Sequence, residues 1–324
     1  MENKAQIDQI IEQSTTLIEL GEFDKAKVIL EEAFKMDPSR IDVIDLISDV
    51  YFNLDNLEGS MKMIKKSISM DPENNPQKYM TFAQMLSDPN EAFQSYQKGI
   101  ELYIKQLQST PSDTGIKAQI ARGYSSIAEL FMNSKLCEEK NAEETVENAL
   151  KEALKYDPKS IDALFQLSNL RIIRERDEEA ETVLNNIYNI IKKTDENDDN
   201  FPDHDMLMNI SKNFAEINLF EKATEILDIM IKMDDEDLEG WYLLAFYHYQ
   251  LKNYQYSMKC LKRFNKIQMK IKKEDKTPLI LEFIDAAKEL LNSLNSTGIN
   301  LTNQQNEEEE ETKDEKENED EEMN

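Results

Sequence analysis

Apolar residues along this chain recur at helical spacing, in blocks cut at regular intervals by polar turns. The first block, AQIDQIIEQSTTLIEL, places Ile7, Ile10, Ile11, Leu17 and Ile18 at the spacing of a helix face. Gly21-Glu22-Phe23 interrupts it, and a second helix follows with Ala26, Leu30 and Ala33 on one face, stopping at Asp37-Pro38. Proline cannot continue a helix and disfavours α geometry in the residue before it, so Asp-Pro closes one unit and admits the next. The next block carries Ile44, Ile47, Ser48 and Tyr51 on one helix, Ile64 and Ser67 on the other, and stops at Asp71-Pro72.

The two blocks are in register. Pro38 and Pro72 stand 34 residues apart, as do Ser14 and Ser48, Leu17 and Tyr51, Ala26 and Ser60, and Leu30 and Ile64. Small residues recur where helices must approach closely and large ones where a gap must be filled, which is the 34-residue tetratricopeptide period. A third unit is irregular: Tyr79, Phe82, Ala83 and Leu86 precede DPNEAFQSYQKGIELY, with a gap between its helices that reads about three residues shorter than elsewhere. Its second helix overshoots to about Leu107, and Ser109 to Gly115 reads as a loop. The fourth unit carries Tyr124, Ser125 and Ala128, then an insertion, SKLCEEKNAEE, then Ala149, Leu150 and Ala153 before Asp157-Pro158.

The fifth returns to register with Leu164, Leu167, Ser168, Ala180 and Leu184, and a polar linker from Thr194 to Asp205 follows. Seven residues of the sixth unit, from Leu207 to Leu227, recur 34 residues later from Trp241 to Leu261. One more helix, from Thr277-Pro278 to about Leu294, suits a cap over the last open repeat. The expectation is an all-α tetratricopeptide-repeat superhelix over residues 1–294, with about seven helix pairs and a capping helix. Residues 295–324 form a separate tail. From Glu307 it holds 12 acidic residues against Lys313 and Lys316, too little apolar surface to offset the entropy of ordering, so a disordered acidic tail is expected.

Composition narrows the class. Seven glycines and eight prolines in 324 residues argue against a turn-rich β fold, and 40% apolar content is enough for a core. A net charge of −28 disfavours direct nucleic-acid binding, which needs clustered Lys and Arg, and favours a basic partner or plain solubility. Cys137 and Cys260 have no metal or redox spacing, MENKAQIDQI has no apolar signal core, and no run approaches membrane-spanning length. A place in the cytoplasm, the nucleus or both is expected, with no membrane association.

Candidate chemistry is sparse. His204 and His248 are the only histidines and lie in different settings. No nucleophile elbow, phosphate-cradling glycine loop or His-Glu-x-x-His run is present, so neither catalytic residues, metal ligands nor a cofactor are expected. A repeat array offers binding instead, with its first helices lining a concave face. The residues expected there are Asp42, Asp45, Asp49 and Phe52 in the second unit and Glu129 in the fourth. Asp162, Phe165 and Asn169 follow in the fifth, and Glu239, Tyr242, Phe246 and Tyr249 in the seventh. Carboxylates interleaved with aromatics suit Lys and Arg, through charge and cation–π contact.

The stretch GYSSIAELFMNSKLCEEKNAEETVENALKEALKYDPKSIDALFQLSNLRIIRERDEEAETVL, Gly123 to Leu184, resembles the eukaryotic assembly chaperones dedicated to large-subunit ribosomal protein four. The likeness continues through LDIMIKMDDEDLEGWYLLAFYHYQLKNY, Leu227 to Tyr254, and covers most of residues 5 to 290; Asn133-Ser134-Lys135 departs from the Thr-Asp-Leu run that family often has. The resemblance implies capture of a basic internal loop of the nascent ribosomal protein on the concave face and escort into the nucleus, with import factors reached through the client. Two rival classes stand beside it. A heat-shock co-chaperone would grip a carboxylate terminus with Lys, Asn and Arg, yet Ile11, Thr15, Leu46, Gln77 and Thr81 occupy the corresponding places. A scaffold subunit of a larger assembly is the other.

Overall fold

The computed structural model describes residues 2–198, 201–272 and 275–296. Among these there are fifteen α-helices and no strand. Contact density divides the chain into two compact units, Met1–Arg174 and Glu175–Asn324. The first holds α1 (Glu2–Glu19), α2 (Phe23–Met36), α3 (Ile41–Asn53), α4 (Leu57–Met70), α5 (Gln77–Met85), α6 (Pro89–Ser109), α7 (Thr114–Asn133), α8 (Ala142–Tyr156) and α9 (Ile161–Ile173). The second holds α10 (Asp177–Ile191), α11 (His204–Glu216), α12 (Phe220–Met233), α13 (Leu238–Gln250), α14 (Tyr254–Lys270) and α15 (Pro278–Ser296). In chain order these are seven pairs and the expected last helix. Apart from its first two residues, which finish α15, the acidic tail lies outside the described residues.

The same two devices recur wherever the repeat is regular. Helix ends at Asp37, Asp71, Asp157 and Asp234 leave helical geometry with φ between −134° and −147°, each N–H bonding back to the carbonyl four residues earlier. Proline enforces this at the first three; Asp234, followed by Asp235, adopts it without one. Within pairs the turn is made by a single left-handed residue: Gly21 (φ 73°), Asp55 (56°), Asn218 (60°) and Lys252 (61°). The next N–H then reaches back five residues, as in Glu22 to the Leu17 carbonyl and Asn56 to the Tyr51 carbonyl, both 2.8 Å. Small residues seat the helices together: Ser60 Oγ donates to the Ser48 carbonyl at 2.9 Å, and Ser257 Oγ to the Ala245 carbonyl at 2.6 Å.

The irregular third unit differs from its expected form. The connection between α5 and α6 has the usual three residues; the shortening lies in α5 itself, nine residues against thirteen in α3. The preceding connection is longer, and Pro76, at the N-cap position, lets the helix start only at Gln77. Gly99 of α6 and Gly123 of α7 both back onto Met80: a Cβ on Gly99 would meet Met80 Sδ at 2.6 Å, and one on Gly123 would meet Ile100 Cγ1 at 2.8 Å. The loop after α6 is shorter than its composition suggests, because Asp113 caps α7 through the Ile116 N–H at 2.9 Å. The insertion after α7 makes a short 3₁₀ turn, Lys135–Glu138, capped by Ser134 and anchored by buried Leu136.

Candidate binding face

Within the first unit the predicted residues of α3, α7 and α9 fall along one polar row. Asp42, Asp45 and Asp49 stand at i, i+3 and i+7 on α3, one side of a helix. Their surroundings separate them. Asp42 is engaged: Arg40 Nε donates to its Oδ1 at 2.9 Å and Arg40 also reaches Asp8 at 2.9 Å, which holds the Asp42 carboxyl below the usual range. Asp45 accepts from Asn75 Nδ2 at 2.7 Å through one oxygen, while its other oxygen, Oδ1, is buried without a hydrogen-bond partner. Burial, with the Asp45 charge adding to it, pushes the Asp49 carboxyl up to about 7. Phe52 is half-buried near the end of α3.

Lys78 lies within electrostatic reach of Asp45. It is 34 residues after Ile44 and 68 after Ile10, in the apolar packing row, and only 1% of it is exposed. Its ammonium donates to Ser67 Oγ at 3.2 Å and to the Asp71 carbonyl, closing the C-terminal end of α4, where a cation is favoured. Burial lowers its pKa and the Asp45 charge opposes that. The row continues through Tyr103, whose hydroxyl donates to Gln77 Oε1 at 2.9 Å and whose raised pKa comes first from burial. Tyr103 feels both Asp49 and Arg122, and Arg122 lies 3.6 Å from Asp162 of α9. Glu129 is exposed to water yet its pKa is raised, first by burial and then by Asp162. Phe165 and Asn169 are half-buried on α9, with Asn169 Nδ2 donating to Gln166 Oε1 at 3.3 Å.

In the second unit the predicted aromatics gather on α13. Tyr242 stacks on Phe246, with centroids 6.5 Å apart, and packs on Phe264 of α14 at 6.3 Å and Phe283 of α15 at 5.7 Å. Its ring is therefore held by the capping helix. Tyr249 lies 5.5 Å from Tyr254, and Glu239 accepts from Lys212 at 2.6 Å. His248 stacks on Tyr256 at 5.4 Å, burial lowers its pKa, and its Nδ1 is buried without a partner. Sequence reasoning missed Lys78 and Arg122. The 34-residue register held the signal for Lys78, since it brings a lysine into line with Ile10 and Ile44.

Among the described residues no group of three His, Cys, Asp or Glu side chains could hold a metal, and no helix is long and apolar enough to cross a membrane. The tetratricopeptide-repeat family model matches residues 12–40 and 41–74, the first two helix pairs. A protein of Schizosaccharomyces pombe named probable assembly chaperone of rpl4 is 29% identical, over 69% of this chain and 68% of its own length. One of the same name from Emericella nidulans is 24% identical over 72% of this chain, which spans 62%, less than two-thirds, of that relative. Among solved structures, the assembly chaperone of RpL4 (Acl4, residues 1–338) superposes with a TM-score of 0.64 at 19% identity, covering 76% of this chain and 97% of the other. Cut9 with Hcn1, from the APC/C, gives 0.58 at 14% identity over 87% of this chain and 48% of that one. At such identities the two structures speak for the fold alone. By its repeat period, its helix pairs and its relatives, the chain is a tetratricopeptide-repeat protein similar to proteins named assembly chaperones of rpl4.

Proposed function

We propose that this protein is a non-enzymatic assembly chaperone that binds a basic internal segment of large-subunit ribosomal protein L4 on the inner row of its first unit. The names of the two curated relatives support the partner. The observation that carries the chemistry is the Asp45–Asp49 pair: two carboxylates on successive turns of α3, one with a buried unpartnered oxygen, the other driven toward neutrality. A guanidinium or ammonium arriving there supplies the missing donor, favours ionisation of Asp49 and offsets the repulsion between the two carboxylates. Glu129 and Asp162 extend the same preference to α7 and α9, and Phe52 and Phe165 offer ring faces and apolar contact beside the charges.

The capture keeps a highly basic client soluble and away from RNA until it is delivered to nuclear pre-ribosomes, with import factors engaging the client rather than the chaperone. The protein accordingly moves between cytoplasm and nucleus. Co-expression of the full chain with L4 from the same source tests the partner: soluble L4 co-purifying in a stable complex supports it, and L4 that stays insoluble overturns it. Imaging of a fluorescent fusion tests the traffic, with signal confined to one compartment in growing cells counting against escort.

A further inference from the structure

One stretch of the second unit carries charge of the opposite sign to the chain as a whole. Between Glu239 and Glu274 there is no acidic residue and there are eight basic ones, in a chain of net charge −28. Five of the eight lie on α14: Lys259, Lys262, Arg263, Lys266 and Lys270. The helix buries Ser257, Leu261 and Phe264, and at 100° per residue the four lysines fall on the opposite side, exposed. The same side shows Tyr256, 59% exposed, and Met269, 77% exposed. Two acids from the connection between α12 and α13 face it: Asp235 pairs with Arg263 at 2.5 Å and Glu236 with Lys270 at 2.6 Å. Lys262 is itself engaged, and Asp228 of α12 acts on buried Cys260, on the far side of the helix. This face repels a basic L4 segment and suits an acidic occupant.

We infer that the face of α14 docks the chain's own acidic segment, Glu307–Glu322. Sequence and geometry both supply the means. The segment bears 12 carboxylates against two lysines and follows α15 by only ten residues, Thr297–Asn306. A seven-residue connection makes α14 and α15 antiparallel neighbours, which brings Ser296 toward the start of α14. A ten-residue tether spans about 17 Å on average if it behaves as a random chain and about 35 Å at most, against about 25 Å for the length of α14. A tether this short holds the segment at millimolar effective concentration, so many weak exposed pairs suffice. Docked there, the segment neutralises the basic face and prevents it from adhering to nucleic acid.

Zero-length carbodiimide coupling of carboxylates to lysines in the full chain, read by peptide mapping, tests this. Links from Glu307–Glu322 should concentrate on Lys259, Lys262, Lys266 and Lys270 at a yield independent of protein concentration. They should disappear in about 1 M salt, where the screening length falls to about 3 Å. Links spread evenly over those lysines and Lys193, Lys232 and Lys288, or absent from α14, overturn the inference. A second arm uses a poly-uridine oligonucleotide. Exchanging the 12 tail acids for Gln and Asn should tighten its binding several-fold, and changing the four α14 lysines to Gln in the same chain should abolish that gain. If the wild-type chain already binds poly-uridine through those lysines as tightly as the tail variant does, the face is a nucleic-acid site and the docking inference fails.

Discussion

Asp49→Asn should stabilise the fold, and only above acid pH. With its carboxyl raised from an ordinary 3.8 to about 7, and each pH unit corresponding to about 1.4 kcal/mol, the ionised form costs the native state about 4 kcal/mol. Because the folded value lies above the unfolded one, stability is greatest below about pH 4, where both states are protonated. It falls as pH rises toward 7, where the unfolded state ionises and the native state does not, and is flat beyond. Asparagine mimics the protonated form throughout. Urea unfolding of wild type and Asp49→Asn should therefore agree near pH 4 and diverge with rising pH, the variant gaining up to about 4 kcal/mol above pH 7. Equal stabilities of the two chains at pH 5 and pH 8 would refute the reasoning. The same raised value makes a statement about binding: a cation seated beside Asp49 favours its ionisation, so capture of a basic peptide near pH 7 should release protons. Calorimetry in buffers of different ionisation enthalpy measures that directly.

Lys78 and Gly123 offer independent checks on packing. Lys78→Ala removes a buried stem and its polar anchors together, at about 4 kcal/mol, whereas Lys78→Met keeps the stem and should cost only about 1–2 kcal/mol in urea unfolding; equal losses would mean the stem is not packed. Gly123→Leu pushes a side chain into Met80 and Ile100, so its thermal midpoint should drop by the equivalent of about 1–3 kcal/mol, and an unchanged midpoint would contradict the close approach of α7 to α5 and α6.

Much of this fold could be read from the chain because its signals are local and repeated. Asp37-Pro38, Asp71-Pro72 and Asp157-Pro158 end helices for a covalent reason, and the small residues Ser48, Ser60 and Ser257 stand where helices touch. The turns were legible in position more than in chemistry: Gly21, Asp55 and Asn218 are residue types that accept a left-handed conformation, while Glu175 and Lys252 adopt φ of 55° and 61° with side chains that do not favour it. The acidic row was legible as residues but not as electrostatics. That Arg40 holds Asp42 while Asp49 is left to Asp45 depends on Arg40 also reaching Asp8, 32 positions away in another pair. Tyr242 shows the same limit. Its contact with Phe283 lies outside the 34-residue register, so nothing in the period predicts it.

Client capture in this proposal depends on the inner row of the first unit acting as a cation site. The most direct measurement compares two triple variants of the full chain for affinity toward the basic internal segment of L4. Asp45→Asn, Asp49→Asn and Glu129→Gln empty the row; Glu58→Gln, Glu91→Gln and Glu144→Gln remove the same charge from exposed positions on α4, α6 and α8. The row variant should lose at least about tenfold in affinity, or about 1.4 kcal/mol, and flatten the salt dependence, with the exposed variant near wild type. Equal losses in the two triples, with both folds intact, would contradict the account and leave only the protein's overall charge to explain binding.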